Sequence, residues 1–383
     1  MKFSSLFTFY LLVISTSFAQ VAEKNRIAIQ KIDSLIQSLI TNKKSAGFMM
    51  GIQVGADKPY LKEYGVTDVQ TKRPVKATSI FRIASVTKLI TAVAVMSLVE
   101  KGKLSLTDKL STFFKDFPNG DKITIYHLLS HTSGIPNWWE GGMPSDEPKD
   151  FPMCQQPHLY LQRMKTTSFF EPGSKHSYSN SGYVLLGEII ERVSGMDYEK
   201  YLKFTIFNKA GMKSTMIENE KNKNGNWVKG YKQNLPTDTT FSAPDVYAMP
   251  FAAGALRSNT TDLLLFLSAL NEGRFVKKST LRDMTAYAVT NSGVPVYDAI
   301  YFPPDFTPPN PPAHIKKYGY GLGFSLMEIY DVPVVWHSGG IAGFNSIMMY
   351  LPKTETKIIL LSNTENGIMP IWEELQRNIV KLN

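Results

Sequence analysis

Residues 81–102, FRIASVTKLITAVAVMSLVEKG, are the stretch of this 383-residue chain from which its fold can be worked out. Nearly every position from 86 to 99 is apolar, so the segment predicts a helix that is buried on all sides. The Glu-Lys-Gly that follows ends the helix at Gly102, because glycine is typical of the position just beyond a helix. We therefore expect this helix to lie inside a large core.

Two polar residues, Ser85 and Lys88, lie at the start of this helix, three positions apart and on the same face. Free backbone N–H groups in the first turn, with the helix dipole, favour a developing oxyanion there by about 0.3–1 kcal/mol. A buried lysine costs several kcal/mol unless it is paired or loses its proton, and a lowered pKa would make Lys88 a base for the Ser85 hydroxyl. The alternative is structural: serine caps the helix, and the lysine chain reaches solvent.

Composition restricts the class of protein. The chain is 43% hydrophobic and 12% aromatic, which is enough to fill one large domain or two intimate lobes. Its formal charge of +9 comes from scattered residues. Because they form no basic run or aromatic-interleaved patch, we expect no nucleic-acid partner, only a mild bias toward anionic substrates.

The first residues predict export. Lys2, an apolar run over 6–14 and small residues before Gln20 indicate a signal peptide, 1–19, cleaved after Ala19. We therefore expect a periplasmic or secreted domain, 20–383, with no membrane span once the peptide is removed. An uncleaved anchor is the alternative, although the run is short for a bilayer span. The only cysteine, Cys154, excludes an intrachain disulfide.

Strand patterns occur near both ends of the mature chain, and helical patterns lie between them. This arrangement predicts an α+β fold of the three-layer α/β/α sandwich type, with one antiparallel sheet completed by both termini, flanking helices and an inserted helical lobe. We place the sheet lobe at about 22–80 and 318–383, and the helical lobe at about 81–317. Long loops are expected at 135–157 and at the proline cluster 301–312. Strands are expected at 47–55, 60–66, 320–329, 332–340, 344–352 and 356–363. Helices are expected at 22–43, 198–207, 260–270 and 371–382, and the segment 171–195 leads into an amphipathic helix through Leu185, Leu186, Ile189, Ile190 and Val193.

Two further motifs follow the S-x-x-K in the chain: Tyr178-Ser179-Asn180 (Y-x-N) and His337-Ser338-Gly339 (H-x-G). With their flanking phrases FRIASVTK, HLLSHTSGIP, YSNSGYVLLGEIIE and HSGGIAGF, the three motifs resemble the serine β-lactamase and penicillin-binding-protein-like hydrolase family. The similarity is to its class C β-lactamase, D-Ala-D-Ala carboxypeptidase and esterase branch, over residues 47–365. The resemblance implies a β-lactamase/transpeptidase-like fold.

The resemblance also implies roles for residues. Ser85 would be the nucleophile of an acyl-enzyme. Lys88 and Tyr178 would take its proton and return it, with pKa values that we expect burial and mutual charge to lower. Asn180 and the segment His337, Ser338, Gly339 and Gly340 would bind substrate, with an oxyanion hole formed by the backbone N–H groups of Ser85 and Gly340. Simple packing of Tyr178 and helix capping by Asn180 remain the structural alternatives.

A histidine at 337 replaces the lysine that is typical of true β-lactamases in this branch, and resembles the carboxypeptidases and esterases. Because histidine is largely neutral above about pH 6.5, we expect weak and pH-dependent binding of substrate carboxylates. The predicted substrates are D-amino-acid peptides, amides or esters, including cell-wall peptides or β-lactams. A class C-type β-lactamase and a penicillin-binding sensor without turnover are the alternatives.

The remaining histidines predict no further chemistry. His131 also precedes a glycine, but it ends a helical segment rather than a strand, and we interpret it as structural. The others have no metal-ligand spacing, and the sequence contains no phosphate loop or dinucleotide fingerprint. We therefore expect no metal and no cofactor.

Overall fold

The computed structural model describes residues 23–141, 157–217, 226–232, 251–299 and 312–382. The predicted signal peptide, Cys154 and the proline cluster except Pro312 lie outside these ranges. In the described residues the helices are α1 (Glu23–Thr41), α2 (Thr87–Glu100), α3 (Leu110–Phe113), α4 (Ile125–Leu129), α5 (Pro157–Gln162), α6 (Asn180–Ser194), α7 (Tyr198–Leu202), α8 (Asn208–Ala210), α9 (Thr260–Asn271), α10 (Lys278–Met284) and α11 (Trp372–Ile379).

The strands of the described residues are β1 (Gly47–Gln53), β2 (Tyr60–Asp68), β3 (Arg73–Pro74), β4 (Phe81–Arg82), β5 (Met216–Ile217), β6 (Leu256–Ser258), β7 (Ile315–Tyr320), β8 (Ser325–Ile329), β9 (Val332–Ile341), β10 (Phe344–Leu351) and β11 (Thr356–Ser362). Eight of them form one antiparallel sheet in the order β3-β2-β1-β11-β10-β9-β8-β7. The two ends of the chain meet where β1 pairs with β11, from Phe48 opposite Ser362 to Gln53 opposite Lys357. This pairing confirms the predicted sheet formed by both termini.

Apolar side chains cover both faces of the sheet. On one face, α1 and α11 pack over residues such as Phe48, Ile358 and Trp336. On the other face lies the larger core, which contains α2, α6 and α9. The helix–sheet–helix layering therefore agrees with the predicted three-layer α+β fold, and a small sheet of β4, β6 and β5 adjoins it.

Helix α2 is the centre of the larger core, as its sequence predicted. Residues 87–98 are all buried, and Gly102 has the left-handed φ of 66° expected just beyond a helix end. Because α2 is apolar on every side, it packs against helices of the inserted segment as well as the sheet.

Several strand predictions were wrong in detail, and β1 and β2 end at Gln53 and Asp68 rather than at 55 and 66. The expected strand 320–329 is two strands, β7 and β8, separated by a turn at 321–324. Gly323 has a φ of 90° there, and a Cβ on it would lie 2.1 Å from the Cβ of Ala92 in α2, so the chain turns where it meets the helix. Strand β9 also continues beyond its predicted end at 340 to Ile341.

No helix among the described residues combines the length and apolar character needed to cross a membrane.

Candidate active site

Ser85 lies in a short 3-10 turn, Ala84–Val86, which leads directly into α2. Ala84 has a positive φ of 45°, a conformation that costs energy for a residue with a side chain and is found mostly at functional positions. The turn is fixed from β10, where the hydroxyl of Ser346 donates to the carbonyl of Ile83 at 2.7 Å. Ser85 itself is partly exposed, so its hydroxyl is accessible.

Lys88 is fully buried and its ammonium nitrogen lies among oxygen atoms. Nζ is 3.1 Å from Oγ of Ser85, 2.6 Å from Oδ1 of Asn180 and 2.7 Å from the carbonyl oxygen of Ala253. Burial holds the pKa of Lys88 well below its usual range. A neutral amine has two N–H donors and one lone pair. The two carbonyl-type oxygens can take both donors, which leaves the lone pair for the Ser85 hydroxyl.

Tyr178 reaches the same hydroxyl from the other side. It forms a side-chain hydrogen bond with Ser85, and Nζ of Lys88 lies 4.9 Å from the centre of its ring. The predicted lowering of its pKa was wrong: burial raises the pKa of Tyr178 well above its ordinary value, with a smaller opposite effect from Ser85. Desolvation disfavours whichever form is charged, so it lowers the pKa of lysine and raises that of tyrosine.

Asn180 is the first residue of α6, and its backbone and side chain serve different purposes. The N-cap of α6 is Ser179, whose hydroxyl accepts from the backbone N–H of Gly182, so Asn180 is not the cap. The side-chain oxygen of Asn137 accepts hydrogen bonds from both the backbone and the side-chain N–H of Asn180, at 2.7 and 3.0 Å. With its amide nitrogen held in this way, Asn180 presents Oδ1 to Lys88.

Asn137 was not identified from the sequence as a site residue. It lies in the loop predicted at 135–157, of which the structure describes residues up to 141 and from 157. Its amide also donates to the carbonyl of Tyr178, at 3.3 Å, and to Glu140, at 2.9 Å. The only sequence signal was its place in this long predicted loop, since long loops often border functional sites.

His337 lies on β9 and is 3% exposed. Its Nδ1 donates to the carbonyl of Ser338 at 2.6 Å, so Nε2 is free to accept from the hydroxyl of Tyr320 at 3.0 Å. Burial lowers the pKa of His337 to about 3, with a smaller contribution in the same direction from Lys88 when that residue is protonated. A pKa this low keeps the imidazole neutral at physiological pH, so titration of His337 no longer supports the expected pH dependence of carboxylate binding.

The two glycines after Ser338 differ in what surrounds them. A Cβ on Gly339 would lie 2.2 Å from the carbonyl oxygen of Ile83, whereas a Cβ on Gly340 would have no atom within 4 Å. Gly339 thus permits β9 to touch the turn that carries Ser85, and Gly340 borders open space beside it. Ser338, between His337 and Gly339, is partly exposed.

Aromatic rings surround the buried side of this arrangement. The ring of His131 packs 4.4 Å from that of Tyr178 and 4.5 Å from that of Tyr320, and its Nδ1 accepts from the backbone N–H of Ser179 at 3.1 Å. His131 is thus placed beneath Tyr178, in agreement with the structural interpretation from the sequence. Tyr183 belongs to the same cluster, with its hydroxyl donating to the carbonyl of Leu129 at 2.9 Å.

The described residues contain no group of three or more His, Cys, Asp or Glu side chains placed to hold a metal ion. The amine of Lys88 and the phenol of Tyr178 contact Ser85, and the amide of Asn180 contacts Lys88. Such a set is suited to proton transfer and hydrogen bonding.

Comparison with known proteins assigns this chain to a family. Penicillin-binding protein 4* of Bacillus subtilis (strain 168) is 29% identical over 87% of this chain and 71% of its own length. An octameric penicillin-binding protein homologue from Pyrococcus abyssi superposes with a TM-score of 0.75, at 27% identity, over 92% of this chain and 77% of that one. D-amino acid amidase from Ochrobactrum anthropi SV3, solved with D-phenylalanine, has a TM-score of 0.71 at 25% identity, over 91% and 98% of the two chains. A sequence model of the Beta-lactamase family matches residues 32–379. This chain belongs to the Beta-lactamase family of serine β-lactamase and penicillin-binding-protein-like hydrolases.

Proposed function

We propose that the protein is a secreted serine hydrolase that forms an acyl-enzyme on Ser85 and acts on D-amino-acid peptides, amides or esters. The observation that carries the proposal is the environment of Lys88, whose amine is buried, has two oxygen acceptors and lies 3.1 Å from the Ser85 hydroxyl. A base in hydrogen-bond contact with a hydroxyl is the arrangement that nucleophilic catalysis by serine requires.

In the proposed reaction, Oγ of Ser85 bonds to the acyl carbon while its proton passes to Nζ of Lys88. The bond to the leaving amine or alcohol breaks, and that group takes a proton from the hydroxyl of Tyr178. The proton held by Lys88 then replaces the one that Tyr178 gave. In the second half, the oxygen of water bonds to the acyl carbon while one of its protons passes to Nζ of Lys88. The bond between the acyl carbon and Oγ of Ser85 then breaks, Oγ takes that proton, and the acid product leaves.

The pKa shifts support this division of roles. Lys88 is held toward its neutral form and Tyr178 toward its protonated form. Groups whose surroundings separate their pKa values can act as base and acid at the same pH. Asn180 keeps the Lys88 amine oriented, and the backbone N–H groups of Ser85 and Gly340 would stabilise the oxyanion. In other hydrolases such a donor contributes about 2.7–4 kcal/mol.

The name of one relative supports the choice of substrate class. One structure 25% identical to this chain is that of the D-amino acid amidase from Ochrobactrum anthropi SV3, whose name gives D-amino-acid amides as its substrate class. A neutral His337 provides no permanent cation for a substrate carboxylate, which favours D-amino-acid substrates over efficient β-lactam hydrolysis. Export of the mature domain, 20–383, belongs to the proposal as well, and the mass of the mature protein recovered from medium or periplasm would test it.

The nucleophile is tested by covalent labelling. We expect a fluorophosphonate or penicillin to add one adduct to the intact protein, and peptide mapping to place it on Ser85. Ser85→Ala should remove the adduct entirely, because it removes the hydroxyl that lies 3.1 Å from the Lys88 amine.

A control on the same helix makes this test specific. Ser97 is buried in α2, and its hydroxyl has no hydrogen-bond partner in the described residues, so Ser97→Ala should fold and label like the wild type. An adduct that survives Ser85→Ala contradicts the assignment. A penicillin adduct that forms on Ser85 but persists without release of product would favour the alternative function, a penicillin-binding sensor without turnover.

A further inference from the structure

A cavity of about 260 Å³ lies behind the candidate site, between the sheet and helices α2, α9 and α10. Its walls are mainly apolar, and include Leu89, Leu267, Leu270, Phe324, Val335 and Met348. None of the candidate catalytic side chains contributes to it. The cavity is therefore a second concave site of this molecule, distinct from the one around Ser85.

The size of the cavity sets the size of an occupant. An apolar cavity of about 150 Å³ is large enough for benzene, and pockets for drug-sized ligands start at about 300 Å³. The present volume lies between these limits. It fits one short hydrocarbon chain or a small ring system, and the apolar walls favour a ligand body without polar groups.

The polar groups around the cavity are mostly donors. Asn271 ends α9, and its side-chain Nδ2 is buried without a hydrogen-bond partner in the described residues. Lys278 and Arg282 are exposed one turn apart on α10, and neither forms an ion pair with another described residue. The lining contains one acid, Glu355, so cations outnumber carboxylates at its edge. A ligand that complements this edge carries an anionic acceptor.

We propose that the cavity binds a medium-chain monocarboxylate, with its hydrocarbon chain between the sheet and α9 and its carboxylate toward Asn271, Lys278 and Arg282. Charge-assisted hydrogen bonds from these donors would fix the orientation. The bound molecule would touch Leu89, next to Lys88, and Val335, which lies two positions from His337 on the same face of β9. Binding itself does not depend on the function proposed for Ser85.

Calorimetric titration of the mature protein with octanoate and with octan-1-ol tests the proposal. We expect saturable octanoate binding with a Kd below about 1 mM. The double variant Lys278→Gln/Arg282→Gln should raise that Kd about tenfold or more, because it removes both cations, and should change octanol binding less than about twofold. Lys277→Gln is the matched control, since this exposed lysine is next to Lys278 but does not line the cavity.

A filling variant tests the location. Leu281 is partly exposed at the edge of the cavity, and Leu281→Trp should abolish binding of both octanoate and octanol while leaving the circular dichroism unchanged. The proposal is overturned if wild-type protein shows no saturable octanoate binding, if the double variant binds octanoate as tightly as wild type, or if folded Leu281→Trp still binds it. Should Leu281→Trp not fold, the double variant and its Lys277→Gln control decide alone, because they change only exposed side chains.

Discussion

Burial acts in opposite directions on the two residues that flank the Ser85 hydroxyl. A charged ammonium at Lys88 could donate to the three neighbouring oxygens, but with no carboxylate among these partners it would bear the cost of desolvation, which is several kcal/mol for an unpaired ion. A phenolate at Tyr178 has the opposite charge, but its desolvation is unfavourable as well. Both groups are therefore held neutral, and neutrality gives Lys88 a lone pair and Tyr178 a proton. The same physical effect produces a base and an acid side by side.

This pair of shifts predicts the pH profile of kcat/KM for a neutral ester. Lys88 is a base only after it loses its proton, so activity should rise with pH through the lowered pKa of Lys88 and then remain level. Tyr178 keeps its proton over this range because its pKa is raised, so no alkaline loss should appear below about pH 10. Lys88→Ala and Tyr178→Phe should each lower kcat by about 10²–10⁴-fold.

Two controls separate this explanation from others. The double variant should lose little more than the worse single variant, because the two residues act as one unit. In His337→Gln, the rise of kcat/KM with pH should occur at the same pH as in the wild type, since the pKa of His337 is already about 3. The assignment would be contradicted if His337→Gln shifted the pH at which kcat/KM rises. It would also be contradicted if a folded Lys88→Ala or Tyr178→Phe variant kept a kcat near that of the wild type.

At the scale of elements, the site depends on how closely strand β9 approaches the turn before α2. Two hydrogen bonds connect this region: Ser346 donates to the carbonyl of Ile83, and the side chain of Asn345 donates to the carbonyl of Gly339 at 2.9 Å. Because Gly339 has no side chain, the strand can lie directly against the backbone of Ile83. This contact brings β9 against the turn that carries Ser85, and the proposed oxyanion hole of Ser85 and Gly340 depends on it.

Adjacent glycine substitutions test this contact. In Gly339→Ala the new methyl group would lie 2.2 Å from the carbonyl oxygen of Ile83 and 2.3 Å from Oγ of Ser346, so the strand and the turn must separate. We expect a loss of about 1–3 kcal/mol in the free energy of unfolding and a much slower acylation of Ser85. Urea unfolding and the rate of fluorophosphonate labelling measure the two effects.

Gly340→Ala is the matched control for stability. Its methyl group would meet nothing within 4 Å and the backbone N–H remains, so the unfolding free energy should be unchanged. If Gly339→Ala unfolds at the same urea concentration as Gly340→Ala and labels at the wild-type rate, the close contact between β9 and the turn is not required.

For the molecule as a whole, the sequence predicted what depends on local pattern. Helix α2 was predictable because its apolar residues cover every face, and the three motifs because each lies within four residues. Asn137 and Tyr320 were missed because their partners, Asn180 and His337, lie 43 and 17 positions away and are brought close only by the packing of the layers. The pKa of His337 could not be predicted either, since it depends on burial by distant segments.

The substrate is also a property of the whole molecule, because one fold supports several acyl-transfer reactions. A lysine at 337 would hold a permanent cation beside a substrate carboxylate, whereas the neutral His337 offers none. Small p-nitrophenyl esters need no such anchor, so we expect them to be cleaved well, D-Ala-terminal peptides moderately and cephalosporins poorly. Because the pKa of His337 is about 3, this ranking should not change between about pH 5.5 and 8.5.

One panel tests this ranking: kcat/KM for nitrocefin, a D-Ala-D-Ala peptide, a D-amino-acid amide and p-nitrophenyl acetate, with His337→Lys measured alongside. His337→Lys should improve nitrocefin relative to the ester, since it adds a cation that only the carboxylate substrate can use. Its charge would also lie near Lys88 and lower the pKa of that amine further, so the acid limb for the ester should move to lower pH. If the wild-type protein hydrolyses nitrocefin at about 10⁶ M⁻¹s⁻¹ or faster, a rate well inside the usual enzyme range, the class C-type β-lactamase replaces the peptidase, amidase or esterase as the function of this chain.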